Sequence, residues 1–225
     1  MTQLTFVWDN FIYQPPQHAL DIIYQDDHFI VIDKPAGLLS VMGRLPEYQD
    51  SAYLRILKDF PQAKVTHRLD MATSGILLFA KHRDAEVAMS KLFQARKVDK
   101  KYIAVVEGKI AEQGEIDLPL IADWENRPRQ KVDFDIGKPA KTLFQRISYD
   151  SEKNISRVAL TPITGRSHQL RLHLSSIGHA ILGDKLYHPH PEHNHLSQMA
   201  LHATQLQFIH PFTGQNMDLS SIPPF

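Results

Sequence analysis

"VTHRLDMATSGILLFA", residues 65–80, crowds Arg68 and Asp70 against Thr73, Ser74 and Gly75 and then runs into an apolar pentapeptide. ILLFA is too short for an independent helix, and the turn-forming residues before it make it a buried strand. Polar residues at the end of a core strand sit at a sheet edge, beside a cleft. There the Asp70 carboxylate would meet the hydroxyls and backbone amides of Thr73, Ser74 and Gly75. A turn-stabilising Asp is the competing account of this position.

The flanking segments supply the rest of a sheet. In "DIIYQDDHFIVIDKP" (21–35) two apolar runs surround a polar turn at 25–28, the pattern of a hairpin, closed by Lys34-Pro35 and Gly37. Ser51 is placed to cap a short helix through Phe60, with Leu54 and Leu57 on one side, before Pro61 restarts the chain. Ala85, Ala88, Met89, Leu92 and Phe93 recur at three and four residues, which predicts an amphipathic helix over 84–96. "KYIAVVEG" (101–108) and "ISRVALTP" (155–162) read as further strands. Between them "LPLIADWENRPRQKVDFDIGKPAKT" (118–142) is long, basic and rich in turn residues, the composition of a functional surface insertion. A helix is expected from Ser167 to Ile177, ended by Gly178. The alternation of Arg171 and His173 with Leu170, Leu172 and Leu174 also fits a strand. Hairpins and helices interleave irregularly, so the expected class is α+β with a mixed, mainly antiparallel sheet.

Composition narrows the chemistry. With 225 residues, 43% hydrophobic and 22% charged, the chain has the balance of a soluble globular protein with length enough for a core. No apolar run is long enough to cross a bilayer. The N-terminal stretch has no basic cluster ahead of an apolar segment, so the expected location is the cytoplasm. The absence of cysteine excludes disulfides, thiolate metal sites and a cysteine nucleophile. Basic and acidic residues balance at 25 each, yet Arg127, Arg129, Lys131, Lys138, Lys141 and Arg146 face only Asp133 and Asp135 over 127–146. Five more basic residues lie between Lys91 and Lys101, against Asp99 alone. A neutral protein with such stretches can present a positive face to phosphates.

Three further places carry chemistry-bearing side chains. "TPITGRSHQLRLHL" (161–174) sets Arg166, His168, Arg171 and His173 on a glycine turn and the segment after it. A cation at a helix start gains nothing from the helix dipole, so Arg166 would be explained better by a carboxylate or phosphate partner. For the two histidines, surface or capping duty is the plain alternative. Tyr102, preceded by basic residues, is suited to stacking on a base or to packing in the core. "HPHPEHNH" (188–195) gathers His188, His190, His193 and His195, but neither the spacing nor an acidic pattern fixes a ligand geometry, and no metal is expected.

Taken together, "HRLDMATSG", "KKYIAVVEG", "GKPAKT", "PITGRSHQLRLH" and "GHAILGDKLY", in this order, resemble the RluA family of pseudouridine synthases. The resemblance runs from about Ile22 to the C-terminus. "KPAGLLSV" and "LPLIADWENRPRQKVDF" further resemble the small members that modify both 23S ribosomal RNA and the anticodon stem-loop of transfer RNAs. Ser167 stands where the family commonly has Thr, and Ala180 and His188 where it often has Pro and Gly.

The resemblance implies a pseudouridine synthase fold over 21–225, an N-terminal extension over 1–20, and no room for an S4-type RNA-binding module. It implies an RNA-modifying isomerase that uses no cofactor and no metal and, by default, acts as a monomer. Asp70 would be the reacting carboxylate and Arg166 the guanidinium that keeps it ionised. Tyr102 would stack on the flipped uracil, and Arg68 would fill the space that base vacates. His67, Thr73, Arg129, Lys131 and His168 are the further expected RNA contacts. A noncatalytic RNA-binding protein on the same scaffold is the alternative, and the retention of Asp70, Tyr102 and Arg166 speaks against it.

Overall fold

In the computed structural model, which describes residues 12–190 and 196–225, the strand expected at ILLFA spans Ser74–Ala80 and is buried at every position. It is the fourth strand, β4, in the order β1 (Asp21–Gln25), β2 (Phe29–Lys34), α1 (Ala52–Asp59), β3 (Lys64–Val65), β4, α2 (Arg83–Gln94), β5 (Asp99–Glu107), β6 (Gln113–Asp117), β7 (Leu120–Ala122), β8 (Gln130–Val132), β9 (Lys141–Asp150), β10 (Ile155–Pro162), α3 (Gln169–Ser176), β11 (Leu201–Ile209) and β12 (Asn216–Ser220). A ten-stranded sheet runs β1-β2-β4-β11-β5-β10-β9-β6, with β3 beside β4 and β12 beside β11. Of its pairings only β4 with β11 is parallel among the described residues. This is the α+β, mainly antiparallel architecture expected.

Side chains of β4 alternate between two cores, as a strand covered on both faces requires. Ile76, Leu78 and Ala80 pack with Ala85 and Met89 of α2, while Leu77 and Phe79 pack with Ala52 and Ile56 of α1. Ser51 does cap α1, its Oγ accepting from Leu54 N at 3.1 Å. The apolar face of α1 is Tyr53, Ile56 and Leu57 rather than the Leu54 and Leu57 pair expected. Helix α2 starts one residue early, at Arg83, because His82 Nδ1 accepts from Ala85 N at 3.3 Å and caps it.

The other half of the sheet builds its own core from β5, β10, β9 and β6 with Leu170 and Leu174 of α3. Tyr102 packs against both this cluster and the α1-side cluster. The middle insertion is a separate two-stranded arm, β7–β8, whose Leu120 packs with Leu172 of α3 and Tyr187. Helix α3 begins at Gln169, later than the expected Ser167, because His168 stands in the left-handed region at φ 53°. Arg166 and Ser167 therefore remain in the turn, and the strand alternative for this segment falls.

The described part of the N-terminal extension lies against α1. Arg55 donates to the Pro16 and His18 carbonyls at 2.6 and 3.0 Å, and Tyr13 Oη donates to Asp50 O at 2.9 Å. Among the described residues no helix is long and apolar enough to cross a membrane. Residues 1–11, and His193 and His195 of the histidine-rich tract, lie outside the described residues.

Candidate active site

The loop between β3 and β4 crosses the seam where the two half-cores meet. Leu69 is buried in the α1-side cluster and Ala72 packs on the α3-side cluster, so Asp70 is carried between them. The KPAGLLS segment holds that loop by its backbone. Ser40 Oγ donates to Leu69 O at 2.7 Å and accepts from Leu69 N at 3.0 Å. Lys34, fully buried, donates from Nζ to the carbonyls of Pro35, Leu38 and Met71 at 2.9, 2.8 and 3.2 Å. Burial draws its pKa down to about 7, against the pull of the Asp70 and Asp33 charges. Gly37, at φ +86°, adds a backbone bond to Met71 O at 2.8 Å.

Asp70 meets a guanidinium from α3, and it is Arg171. Nη1 of Arg171 lies 3.1 Å from Asp70 Oδ2, while Nε and Nη2 form a fork on Asp184 at 2.8 and 2.7 Å. Burial works against the Arg171 charge, but the two carboxylates outweigh it and raise its pKa. Burial likewise opposes the Asp184 charge, which Arg171 and the Leu186 and Tyr187 amides overcome, holding that carboxyl below its usual value. His168 Nε2 lies 3.9 Å from Asp70 Oδ1. The result is a partly exposed carboxylate, 26% accessible, fixed by a buried cation that a second carboxylate holds in place.

The expected partner is corrected accordingly. Arg166 is exposed in the turn before α3, its Nε donating to Pro139 O at 3.2 Å, and it makes no ion pair with Asp70. Position decides this: Arg171 lies one helical turn along α3 from His168, on the same face. The missed signal was an Arg flanked by Leu170 and Leu172 in a segment buried throughout, since a cation there requires buried carboxylates.

Tyr102 lies on the floor of the same seam. Burial, and then the Asp70 charge, raise its pKa, so it is a neutral phenol. Arg68 is exposed and has no hydrogen-bond or ion-pair partner among the described residues.

A model for the RNA pseudouridylate synthase family matches residues 28–176, which contain the Asp70 loop, Tyr102 and Arg171. The chain belongs to the RluA family of pseudouridine synthases. It is 51% identical over 216 residues to the dual-specificity RNA pseudouridine synthase RluA of Pasteurella multocida (strain Pm70), covering 95% of this chain and 98% of that one. To the protein of the same description from Escherichia coli (strain K12) it is 47% identical over 215 residues, with the same coverage. The solved structure of human RNA Pseudouridylate Synthase Domain Containing 1 superposes with a TM-score of 0.77 at 27% identity, covering 94% of this chain and 87% of that one. The chain is thus an RNA pseudouridine synthase, an isomerase acting on RNA.

Within this pseudouridine synthase the other expected contacts divide into exposed and structural. Arg129, half-buried, sits in the loop between β7 and β8 with its Cζ 5.4 Å from the Tyr187 ring, and exposed Lys131 lies 3.7 Å from Asp133. His67 is a scaffold residue: its Nε2 accepts from Leu78 N at 3.1 Å, while Thr66 Oγ1 donates to Leu78 O at 2.5 Å. These two side chains complete the edge of β4 between its short pairings with β11 and β3. Thr73 is buried at 3% accessibility, with its amide on Asp70 O at 3.1 Å, so it shapes the turn and presents no hydroxyl to solvent. Ser74 is likewise buried, its Oγ 2.9 Å from His202 Nδ1. Of the histidine-rich tract, His188 is buried, with Nε2 3.5 Å from Glu107 Oε2.

Proposed function

We propose that Asp70 is the carboxylate that reacts, with Arg171 as the cation that holds it in place, and that the substrates are uridines of 23S ribosomal RNA and of transfer RNA anticodon stem-loops. The observation that carries this is the Arg171–Asp70 pair, set at the seam where loop, sheet floor and helix meet. The reaction breaks the bond from ribose C1′ to uracil N1, turns the base and joins C1′ to C5, which gives up its proton while N1 takes one up. Product and substrate are isomers, so no redox cofactor enters the balance. The carboxylate assists either by attack on base or sugar or by taking a sugar proton.

A stacked uridine cannot reach this seam, so it is flipped, at a cost of a few kcal/mol. Arg68, exposed two residues from Asp70, fills the gap it leaves in the RNA. Tyr102 stacks on the extruded uracil from below and serves the closing proton transfer. Arg129 and Lys131 on the arm bind backbone phosphates and fix the stem-loop by shape. We assign residues 21–225 to one catalytic unit that works as a monomer in the cytoplasm.

The test is to incubate the protein, with chelator and no added cofactor, with an anticodon stem-loop and a 23S fragment and to map pseudouridine by chemical labelling, alongside Asp70→Asn. Wild type should modify both. The variant should bind RNA and modify neither, because phosphate contacts supply the affinity. Turnover by Asp70→Asn near the wild-type rate would remove Asp70 from the chemistry, and modification of one RNA alone would remove the dual specificity.

A further inference from the structure

A chain of polar contacts runs from the arm to the free oxygen of Asp70. Gln130 opens β8, and its backbone N–H donates to Tyr187 Oη at 2.7 Å. The Tyr187 O–H remains available to donate to His168 Nδ1, 2.8 Å away. A neutral imidazole that accepts at Nδ1 carries its proton on Nε2. Nε2 faces Asp70 Oδ1 at 3.9 Å, and Arg171 holds the other oxygen, Oδ2. Each link therefore sets the donor direction of the next.

Two further observations mark this chain as more than a satisfied polar cluster. His168 adopts φ 53°, a left-handed conformation that costs a side-chain-bearing residue roughly 1–2 kcal/mol. Such strain persists only where the surroundings over-determine it, and it concentrates at functional sites. The Tyr187 ring, in turn, is contacted by both ends of the system. Arg171 Cζ lies 5.2 Å from its centroid and Arg129 Cζ, from the arm, 5.4 Å.

We propose that His168 is a positioning residue for the isomerisation: held by Tyr187, it presents Nε2–H to the free oxygen of Asp70 and links the seating of RNA on the arm to the orientation of that carboxylate. This rests on the function proposed above. The closing of the 3.9 Å gap accompanies RNA binding, when a phosphate on Arg129 draws the arm, and Tyr187 with it, toward the seam. Charged groups around the imidazole act in both directions: Asp70 and Asp184 favour its protonation and Arg171 opposes it, while burial, the largest influence, holds its pKa below the usual histidine value. A proton on Nδ1 would displace the Tyr187 donor and break the chain.

The experiment compares wild type with His168→Asn, chosen because Asn tolerates the left-handed backbone, with Tyr187→Phe, which removes one oxygen, and with the double variant. Each single change should lower kcat for pseudouridine formation about tenfold or more, as a misplaced reacting group does. KM for the stem-loop and the melting temperature should hardly move. The double variant should be no slower than the slower single one, since both break one chain. Tyr187→Phe should also move the acid limb of kcat to higher pH, because Nδ1 becomes free to take a proton. Wild-type kcat in either single variant, additive losses, or a loss confined to KM would overturn the proposal. Nitrogen-15 spectra of the His168 ring give a readout independent of turnover: protonated Nε2 with unprotonated Nδ1 supports the chain, and the opposite tautomer overturns it. Wild type that forms no pseudouridine on RNA would overturn the function proposed above, and the tautomer would still decide the chain.

Discussion

A guanidinium offers five N–H donors in a rigid fork, and Arg171 uses three of its nitrogens on two carboxylates. An ammonium keeps the charge but cannot reach both acids in that geometry. Arg171→Lys should therefore lower stability by about 2 kcal/mol or more, because the fully buried side chain of Asp184 loses its bidentate partner. It should also cut single-turnover rate about tenfold or more as Asp70 loses its fixed orientation. Arg166 binds only a carbonyl at the surface, so Arg166→Ala should stay within about 0.5 kcal/mol of wild type and keep its rate. Urea unfolding and single-turnover labelling of the two variants separate the roles. The reverse pattern would return the charge-partner role to Arg166.

At the scale of elements, the site depends on how closely β4 and β11 approach. Gly75 pairs with Ala203 at φ +107°, and a Cβ there would lie 2.3 Å from Ala203 O and 2.6 Å from Ala203 N. Backbone cannot yield as a flexible side chain does. Gly75→Ala should cost about 2 kcal/mol or more and, by displacing the start of β4, reduce turnover too. An unchanged urea midpoint would refute this close crossing. The same crossing shows what was legible in the sequence and what was not. Local signals marked β4 by its apolar run, α1 by the Ser51 cap and α2 by its spacing, and the segment of β10 also read as a strand. The parallel pairing of β4 with β11 left no local trace, because it joins distant residues through short contacts. The strand β9 was hidden by its half-exposed, charged composition. Helix α3 buries Gln169, Arg171 and His173 along with its leucines, so its pattern showed neither period clearly, and the two arginines of the motif could not be ranked by position.

At the scale of the whole molecule, neutral imidazoles fasten the places where separately built parts meet. His67 completes the edge of β4, and His168 binds Tyr187, which in turn accepts from Gln130 N of the arm. His173 binds Thr142 Oγ1 at 2.9 Å and Leu118 O at 3.0 Å, tying α3 to β9. His202 lies between Ser74 Oγ and Ser221 Oγ, both at 2.9 Å, and Ser221 in turn donates to Asp33 at 2.5 Å. In all four, burial lowers the pKa, for His67 to about 3. In the unfolded chain each returns to about 6.5. Below that value the unfolded state binds more protons than the folded one, so stability is full above pH 6.5 and falls as the pH drops toward the folded values. Each group contributes up to about 1.4 kcal/mol per pH unit. Asp26, Asp50 and Asp184, whose pKa values are lowered, act in the same direction, but only near and below the carboxylate range of about 4. Between pH 7 and 5 the imidazoles therefore dominate. The urea midpoint should fall across that interval, with a net uptake of protons on unfolding near pH 5.5, of which His67, with its folded value near 3, supplies about one. His173→Gln, whose amide can also donate and accept, should reduce that uptake. A midpoint that is flat from pH 7 to 5 would mean that these rings are already charged in the folded protein, and the donor direction drawn through His168 would then be wrong.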